Sequence, residues 1–244
     1  SYNDKLSPMA CIATGDIQGA IKEVHRSAER GFRGLCLPCK PIWGAPNHEH
    51  TNYNLDEFDP LWAAICDADM PITFHVSTGR DPRTAKGNGG AIINYAVHSL
   101  APTMEPLVNI CASGVIERFP GLRFGSIEAG IGWLPWALTA MDEAYHKHHM
   151  WVRPKLKNLP SEYFRANGFA SFGEDAPGLA LIEDFNLVEN CLWANDFPHH
   201  EGTWPHSAAA IERTMGALTD RSRSLILGLN AAKIFKFDAP ELCS

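Results

Sequence analysis

The sequence predicts an α/β protein built on a parallel sheet, and three observations carry that reading. Short apolar segments that suit strands alternate with segments of helical periodicity along the whole chain. The length, 244 residues at 45% apolar and 20% charged, suits one well-buried core of the size that α/β barrels reach as a single domain. Three polar side chains of metal-binding type stand at the C-terminal ends of three strand segments, where the loops of a parallel sheet converge.

Six βα units can be counted. The first strand is residues 9–13, and its helix opens at Asp16 as N-cap, sets Ile17, Ala20, Ile21, Val24 and Ala28 on one face, and stops at Gly31. Residues 32–37 form the second strand, which Pro38 ends. After a loop rich in Pro, Asn and His, a helix opens at Asp59-Pro60, a cap with proline at the first helical position, and turns Leu61, Ala64, Ile65 and Ala68 inward. Pro71 opens the third strand, 72–76. A Gly-rich loop over 79–90 leads to a helix at about 103–118, then the fourth strand, 122–128, and a helix near 133–149. Residues 169–172 are a weak fifth strand with a helix around 177–185 behind it. Residues 191–194 are the sixth, and helices at about 207–218 and 221–235 close the chain. No internal repeat or low-complexity tract interrupts this order.

A complete (β/α)8 barrel has eight parallel strands in about 250 residues, so the length suits a barrel while the strand count falls two short. Parallel strands with helices on both faces do not tolerate open edges well, so either two strands escape the pattern or they come from elsewhere. The partner expected on this ground is a second copy of the chain or a companion segment.

Composition narrows the function classes. With 21 Lys+Arg against 28 Asp+Glu the formal charge is −7, and no basic run offers a footprint for nucleic acid. The longest strongly apolar uncharged run, residues 129–141, is too short to cross a bilayer and carries glycine and proline. Residues 1–5 lack the apolar core of a secretory signal. Seven cysteines, mostly inside apolar stretches, read as free thiols in a reducing cytoplasm.

His75 ends the third strand, Glu128 the fourth, and Asp196 follows the sixth. Imidazole and carboxylate are the usual ligands of zinc and similar divalent ions. A single strand-terminal His or Asp suits a loop hydrogen bond or a helix cap equally well; three at equivalent positions around one mouth favour metal chemistry. His48-Glu49-His50 is a further metal-type cluster, but Pro46-Asn47 precedes it and marks it as loop. Arg80 and Arg83, after His75, suit a bidentate grip on a substrate carboxylate or simple exposure. His146, His148 and His149 suit a solvated helix end. Cys36-x-x-Cys39 has no second cysteine pair at zinc-ribbon spacing. Trp133 and Trp193 read as packing residues.

Asn195-Asp196-Phe197-Pro198-His199, followed by Gly202-Thr203-Trp204-Pro205-His206-Ser207, resembles the closing signature of the amidohydrolase-related family, the branch that includes aminocarboxymuconate-semialdehyde decarboxylase. Phe74-His75 with Thr78-Gly79, Glu117-Arg118-Phe119-Pro120, Glu128-Ala129-Gly130-Ile131-Gly132-Trp133-Leu134-Pro135 and Gly228-Leu229-Asn230-Ala231-Ala232 resemble that family in the same order. Tyr2-Asn3-Asp4 resembles a segment that lies well inside the family's chains, which implies that residues 1–244 are one domain without the family's first strands. The resemblance implies a distorted TIM barrel, with the six strands here as the third to the eighth. It implies that His75 and Asp196 bind the metal, that Asp196 also orients and deprotonates the attacking water, and that His199 is a substrate or supporting contact at the mouth. Glu128 stands where the decarboxylases of the branch carry histidine, and hydrolase-like members share its Glu-x-Gly-x-Gly-Trp.

The expected function is therefore a metal-dependent hydrolase of a small organic substrate. Zinc is the first expected ion, with manganese or iron also compatible, and it lowers the pKa of bound water towards about 7. A metal-dependent decarboxylase is the alternative within the family. A non-catalytic fragment that needs a partner chain is the alternative outside it, because the first-strand metal motif is not in the sequence.

Overall fold

A computed structural model describes residues 5–41, 51–79, 84–148, 150–151 and 153–238. Six strands, β1 (Met9–Cys11), β2 (Gly34–Leu37), β3 (Ile72–His75), β4 (Phe124–Ile127), β5 (Gly168–Phe172) and β6 (Cys191–Trp193), form one sheet. Every pairing is parallel and the spatial order follows the chain order, β1 to β6. That sequential winding is the winding of a (β/α)8 barrel. Among the described residues β1 and β6 do not pair, so the sheet stays open.

Side chains alternate across a strand, so register partners share a face. One face carries Leu35, Leu37, Ile72, Phe74, Phe124 and Ala170 into a large core under the helices. The other carries Cys36, Thr73 and His75 on β2 and β3, and Ile127, Phe169 and Leu192 on β4 to β6. On this second face Phe169 and Leu192 join Ile234 in a separate apolar cluster, with Phe235 packed edge-on against Phe169 at 5.8 Å. The closing helix, Asn230–Phe235, thus fills the concave side of the sheet near the N-terminal ends of the strands, where Met9 and Phe235 both crowd Gly34. The opposite, C-terminal end is left for the site.

The local reading of the first unit is borne out. Asp16 caps the helix Ile17–Glu29 by accepting the Gln18 N–H at 3.1 Å, and Ala20 and Val24 are buried beneath it. At the second helix the expected cap is corrected. Asp59 lies inside the helix Asp59–Asp67, behind a 3-10 turn Asp56–Phe58, and its carboxylate is taken by the Arg118 fork at 2.8 and 2.9 Å. The expected helix over 103–118 divides into Met104–Ala112 and Val115–Arg118, with Gly114 at φ 77° between them. Two helices lay outside the pattern. Gly90–Tyr95, extended by a π turn Ala96–Leu100, begins in the Gly-rich stretch, and Pro160–Asn167 is held at its start by Glu162 accepting the Leu159 N–H at 2.7 Å. No helix among the described residues is long and apolar enough to cross a membrane.

Candidate active site

His75 is the last residue of β3, on the concave face. Its Nδ1 lies 2.9 Å from the Val76 carbonyl oxygen. A carbonyl only accepts, so Nδ1 carries the hydrogen, and in the neutral ring Nε2 presents a lone pair. That Nε2 stands 2.8 Å from Glu128 Oε2. Two acceptors at this distance repel unless a proton or a cation lies between them.

Glu128 sits one residue past β4 with φ 63°, and Asp196 follows β6 with φ 58°. Both side chains leave the sheet from left-handed backbone, which costs a non-glycine residue about 1–3 kcal/mol and persists only when neighbours enforce it. For Glu128 the neighbours are on β5 and just beyond it. Ser171 Oγ accepts the Glu128 N–H at 3.1 Å, and Asp175 Oδ2 accepts the N–H groups of Ile131 and Gly132, each at 2.7 Å. Asp175 Oδ1 meanwhile accepts from Gly178 at 2.9 Å and caps the helix Ala176–Leu181. A Cβ on Gly130 or Gly132 would stand 2.7 or 2.9 Å from the Asp175 carboxylate, and Trp133 Nε1 donates to the Gly130 carbonyl at 3.0 Å. The Glu-x-Gly-x-Gly-Trp segment is thus the fold of one loop around one carboxylate.

At Asp196 the loop closes on itself. The His199 N–H donates to the Asp196 carbonyl at 2.8 Å, and the ring Nδ1 lies 3.2 Å from Asp196 Oδ2. Gly202 approaches the Asn195 carbonyl so closely that a Cβ would fall 2.5 Å from its oxygen.

A cavity of about 350 Å³ opens between these elements, lined by Glu128 and Asp196 together with Tyr95, Glu201 and Asp175. Burial holds the Glu128 carboxyl above the usual carboxylate range; His75 opposes the shift, Asp196 adds to it, and His199 and Glu201 follow. The Tyr95 phenol is raised, by burial first and then by Glu201, Glu128 and Asp196. The sequence-derived candidates are therefore joined in a chain. His75 meets Glu128, Glu128 shares a cavity with Asp196, and Asp196 meets His199. Arg80, Arg83 and His48-Glu49-His50 lie outside the described residues. Trp133 and Trp193 are half-buried and donate to backbone carbonyls, as packing residues do.

Tyr95, Glu201 and Asp175 were not anticipated. Glu201 lies two residues past His199, so proximity to the motif was its one signal. Tyr95 belongs to the helix hidden behind the glycines, and Asp175 acts through contacts more than 40 residues distant in sequence.

The donor types fit a divalent ion, with a limit. An ion with about 2.1 Å bonds in octahedral geometry holds adjacent ligand atoms about 3 Å apart, close to the 2.8 Å between His75 Nε2 and Glu128 Oε2. The Val76 contact fixes the His75 tautomer in the way metal-binding histidines are fixed. Among the described residues, however, no group of three or more His, Cys, Asp and Glu is gathered into a complete metal-holding cluster. His75 and Glu128 are in contact, and Glu128 shares the cavity with Asp196.

The family model described as amidohydrolase matches residues 1–237. The chain belongs to the amidohydrolase family. Within that family it is 24% identical to the gamma-resorcylate decarboxylase of Rhodococcus jostii (strain RHA1), over 96% of this chain and 72% of that protein. The solved 5-carboxyvanillate decarboxylase of Sphingomonas paucimobilis superposes with a TM-score of 0.73 at 23% identity, over 95% of this chain and 67% of that one. A dihydroxybenzoic acid decarboxylase of Polaromonas sp. JS666, solved with bound manganese and the inhibitor 2-nitroresorcinol, gives a TM-score of 0.70 at 20% identity, over 98% of this chain and 71% of that one. These amidohydrolase likenesses establish the barrel-type α/β fold.

Proposed function

We propose that this amidohydrolase is a metal-dependent decarboxylase of small aromatic acids. The observation that carries the reading is the contact between His75 Nε2 and Glu128 Oε2, two ligand-type atoms held 2.8 Å apart at the mouth of the sheet. The names of the similar proteins, decarboxylases of resorcylate, carboxyvanillate and dihydroxybenzoate, support the substrate class. Manganese in the Polaromonas relative makes it the first ion to test, ahead of the zinc that the donor types alone suggest.

His75, Glu128 and Asp196 would hold the ion, and when bound it supplies Lewis-acid polarisation of the substrate's oxygens. Glu128, Asp196 and Glu201 make the cavity acidic, so an anionic acid is repelled until a cation offsets them. Asp196 gives a proton to the ring carbon that loses carbon dioxide, and half-exposed His199, 3.2 Å from its Oδ2, restores that proton from solvent. Tyr95 walls the cavity beside these groups. Arg83 is assigned to the substrate carboxylate on sequence grounds. The edges of β1 and β6, unpaired among the described residues, suit a second copy or a companion segment, which light scattering of the native sample checks.

A hydrolytic reaction is the second reading, favoured by the Asp196–His199 pair, which equally suits a base that takes a proton from water. One experiment separates the two. The manganese-loaded protein is offered hydroxylated benzoates and, separately, ring esters and lactones. Carbon dioxide release that disappears in Asp196→Asn supports decarboxylation. Ester or lactone cleavage without carbon dioxide supports hydrolysis, and full turnover in Asp196→Asn overturns both roles for Asp196.

A further inference from the structure

Cys11 and Cys36 face each other across the β1–β2 ladder as direct register partners. Adjacent strands lie about 4.8 Å apart, inside the roughly 4.4–6.8 Å Cα separation that a disulfide spans. Register partners project to the same side, here the concave face, because Ala10, Ile12, Leu35 and Leu37 are buried on the other one. Both thiols are free; Cys11 is exposed and Cys36 partly covered. Cys39, Cys111 and Cys191, by contrast, are buried. Burial pushes the Cys36 thiol up, Thr73 opposes that, and the neighbouring Cys11 thiol adds to it. The next register partner of Cys36 is Thr73, two residues before His75 on the same face.

We propose that Cys11 and Cys36 form an oxidisable dithiol, a modification site on the paired strands β1 and β2 that a peroxide converts to an intramolecular disulfide. The accessible sulfur acts first. The Cys11 thiolate attacks one peroxide oxygen, the O–O bond breaks, and Cys11 becomes a sulfenic acid while the other oxygen leaves as hydroxide and takes up a proton as water. The Cys36 sulfur then attacks the Cys11 sulfur. The S–O bond breaks, the hydroxyl leaves with the Cys36 proton as a second water, and the S–S bond forms. Two thiols and one peroxide give one disulfide and two waters, a two-electron oxidation. The bond ties β1 covalently to β2, directly beside the strand that ends in His75. This inference stands independently of the decarboxylase reading.

The test is treatment of the reduced native protein with hydrogen peroxide, followed by alkylation and non-reducing peptide mapping. The expected result is a monomer lighter by two hydrogen atoms, a cross-link between the peptides carrying Cys11 and Cys36, and full reversal by dithiothreitol. Cys11→Ser and Cys36→Ser lose the cross-link, and Cys39→Ser keeps it. A Cys11–Cys11 dimer, a sulfinic acid on Cys11 with Cys36 still alkylated, a bridge from Cys11 to Cys39, or no change would each overturn the proposal. The mapping of the unmutated protein decides the matter even if a serine variant misfolds.

Discussion

Asp175 holds Gly132 from the neighbouring loop, accepting its N–H and that of Ile131 on one carboxylate oxygen while the other oxygen caps the helix that Asp175 opens. One side chain thereby ties the loop after β4 to the helix after β5, and Glu128 lies at the start of that loop. Removing it leaves two backbone donors and a helix start unpartnered. Asp175→Ala should cost about 2 kcal/mol, read as a lower urea midpoint, and should also weaken manganese binding because Glu128 loses its support. Asp175→Asn, which keeps one acceptor oxygen, should fall between. Lost stability with unchanged manganese affinity would show that Asp175 only caps the helix.

The His75–Glu128 contact makes a second prediction. A cation held between the two side chains binds the folded chain and not the unfolded one, so manganese at 100 times its Kd should stabilise by about 2.7 kcal/mol. Glu128→Gln keeps the size of the side chain but removes the charge, and should abolish most of the gain. His75→Ala should do the same. Equal thermal shifts with manganese in all three proteins would place the ion elsewhere.

The legible and illegible parts of this site differ in how they reach it. β3 and β2 read clearly because strands of a parallel sheet are near-continuous apolar runs, and the end of such a run points to His75 without further information. Glu128 and Asp196 follow by the same rule, although each lies just past its strand in left-handed backbone, which no local pattern announces. Tyr95 enters the cavity from a six-residue helix that starts beside Gly87, Gly89 and Gly90, where propensity argues against any helix. Asp175 caps the helix Ala176–Leu181, and its hold on Gly132 exists only once β4 and β5 are paired. What the sequence could not show was the set of contacts between units, and the polar support of the site is made of those.

Glu117 gives a pH prediction. Its carboxylate accepts the Lys157 N–H at 2.6 Å and the Tyr163 hydroxyl, and these two hydrogen bonds hold its pKa below the ordinary value. A carboxyl whose folded pKa is lowered contributes stability that is fully present above the unfolded pKa, about 4.3 for Glu, and lost as pH falls through the folded value. Glu117→Gln should therefore be less stable than the unmutated protein by about 1 kcal/mol at pH 7, with the gap closing at and below that acid range. Urea unfolding at a series of pH values measures it. A gap independent of pH would assign the loss to packing.

Gly125 and Phe169 are register partners on β4 and β5, and a Cβ on Gly125 would stand 2.3 Å from two carbons of the Phe169 ring. The ring has little room to turn away, because Phe235 packs against it at 5.8 Å and Leu192 and Ile234 complete the cluster. Two effects oppose each other in Gly125→Ala. Restricting the unfolded chain favours alanine by about 0.4–1 kcal/mol, whereas forcing a methyl into a filled layer costs about 1–3 kcal/mol. A contact this short and this enclosed makes the second effect dominant, so Gly125→Ala should lower the urea midpoint. Phe169→Leu alone should also destabilise, by emptying part of the layer. Combined, the two should cost less than the sum of the single changes, since the smaller side chain admits the methyl group. A coupling of about 0.5 kcal/mol or more in the double-mutant cycle is the expected result. Strict additivity would mean that the Phe169 ring is not what keeps position 125 a glycine.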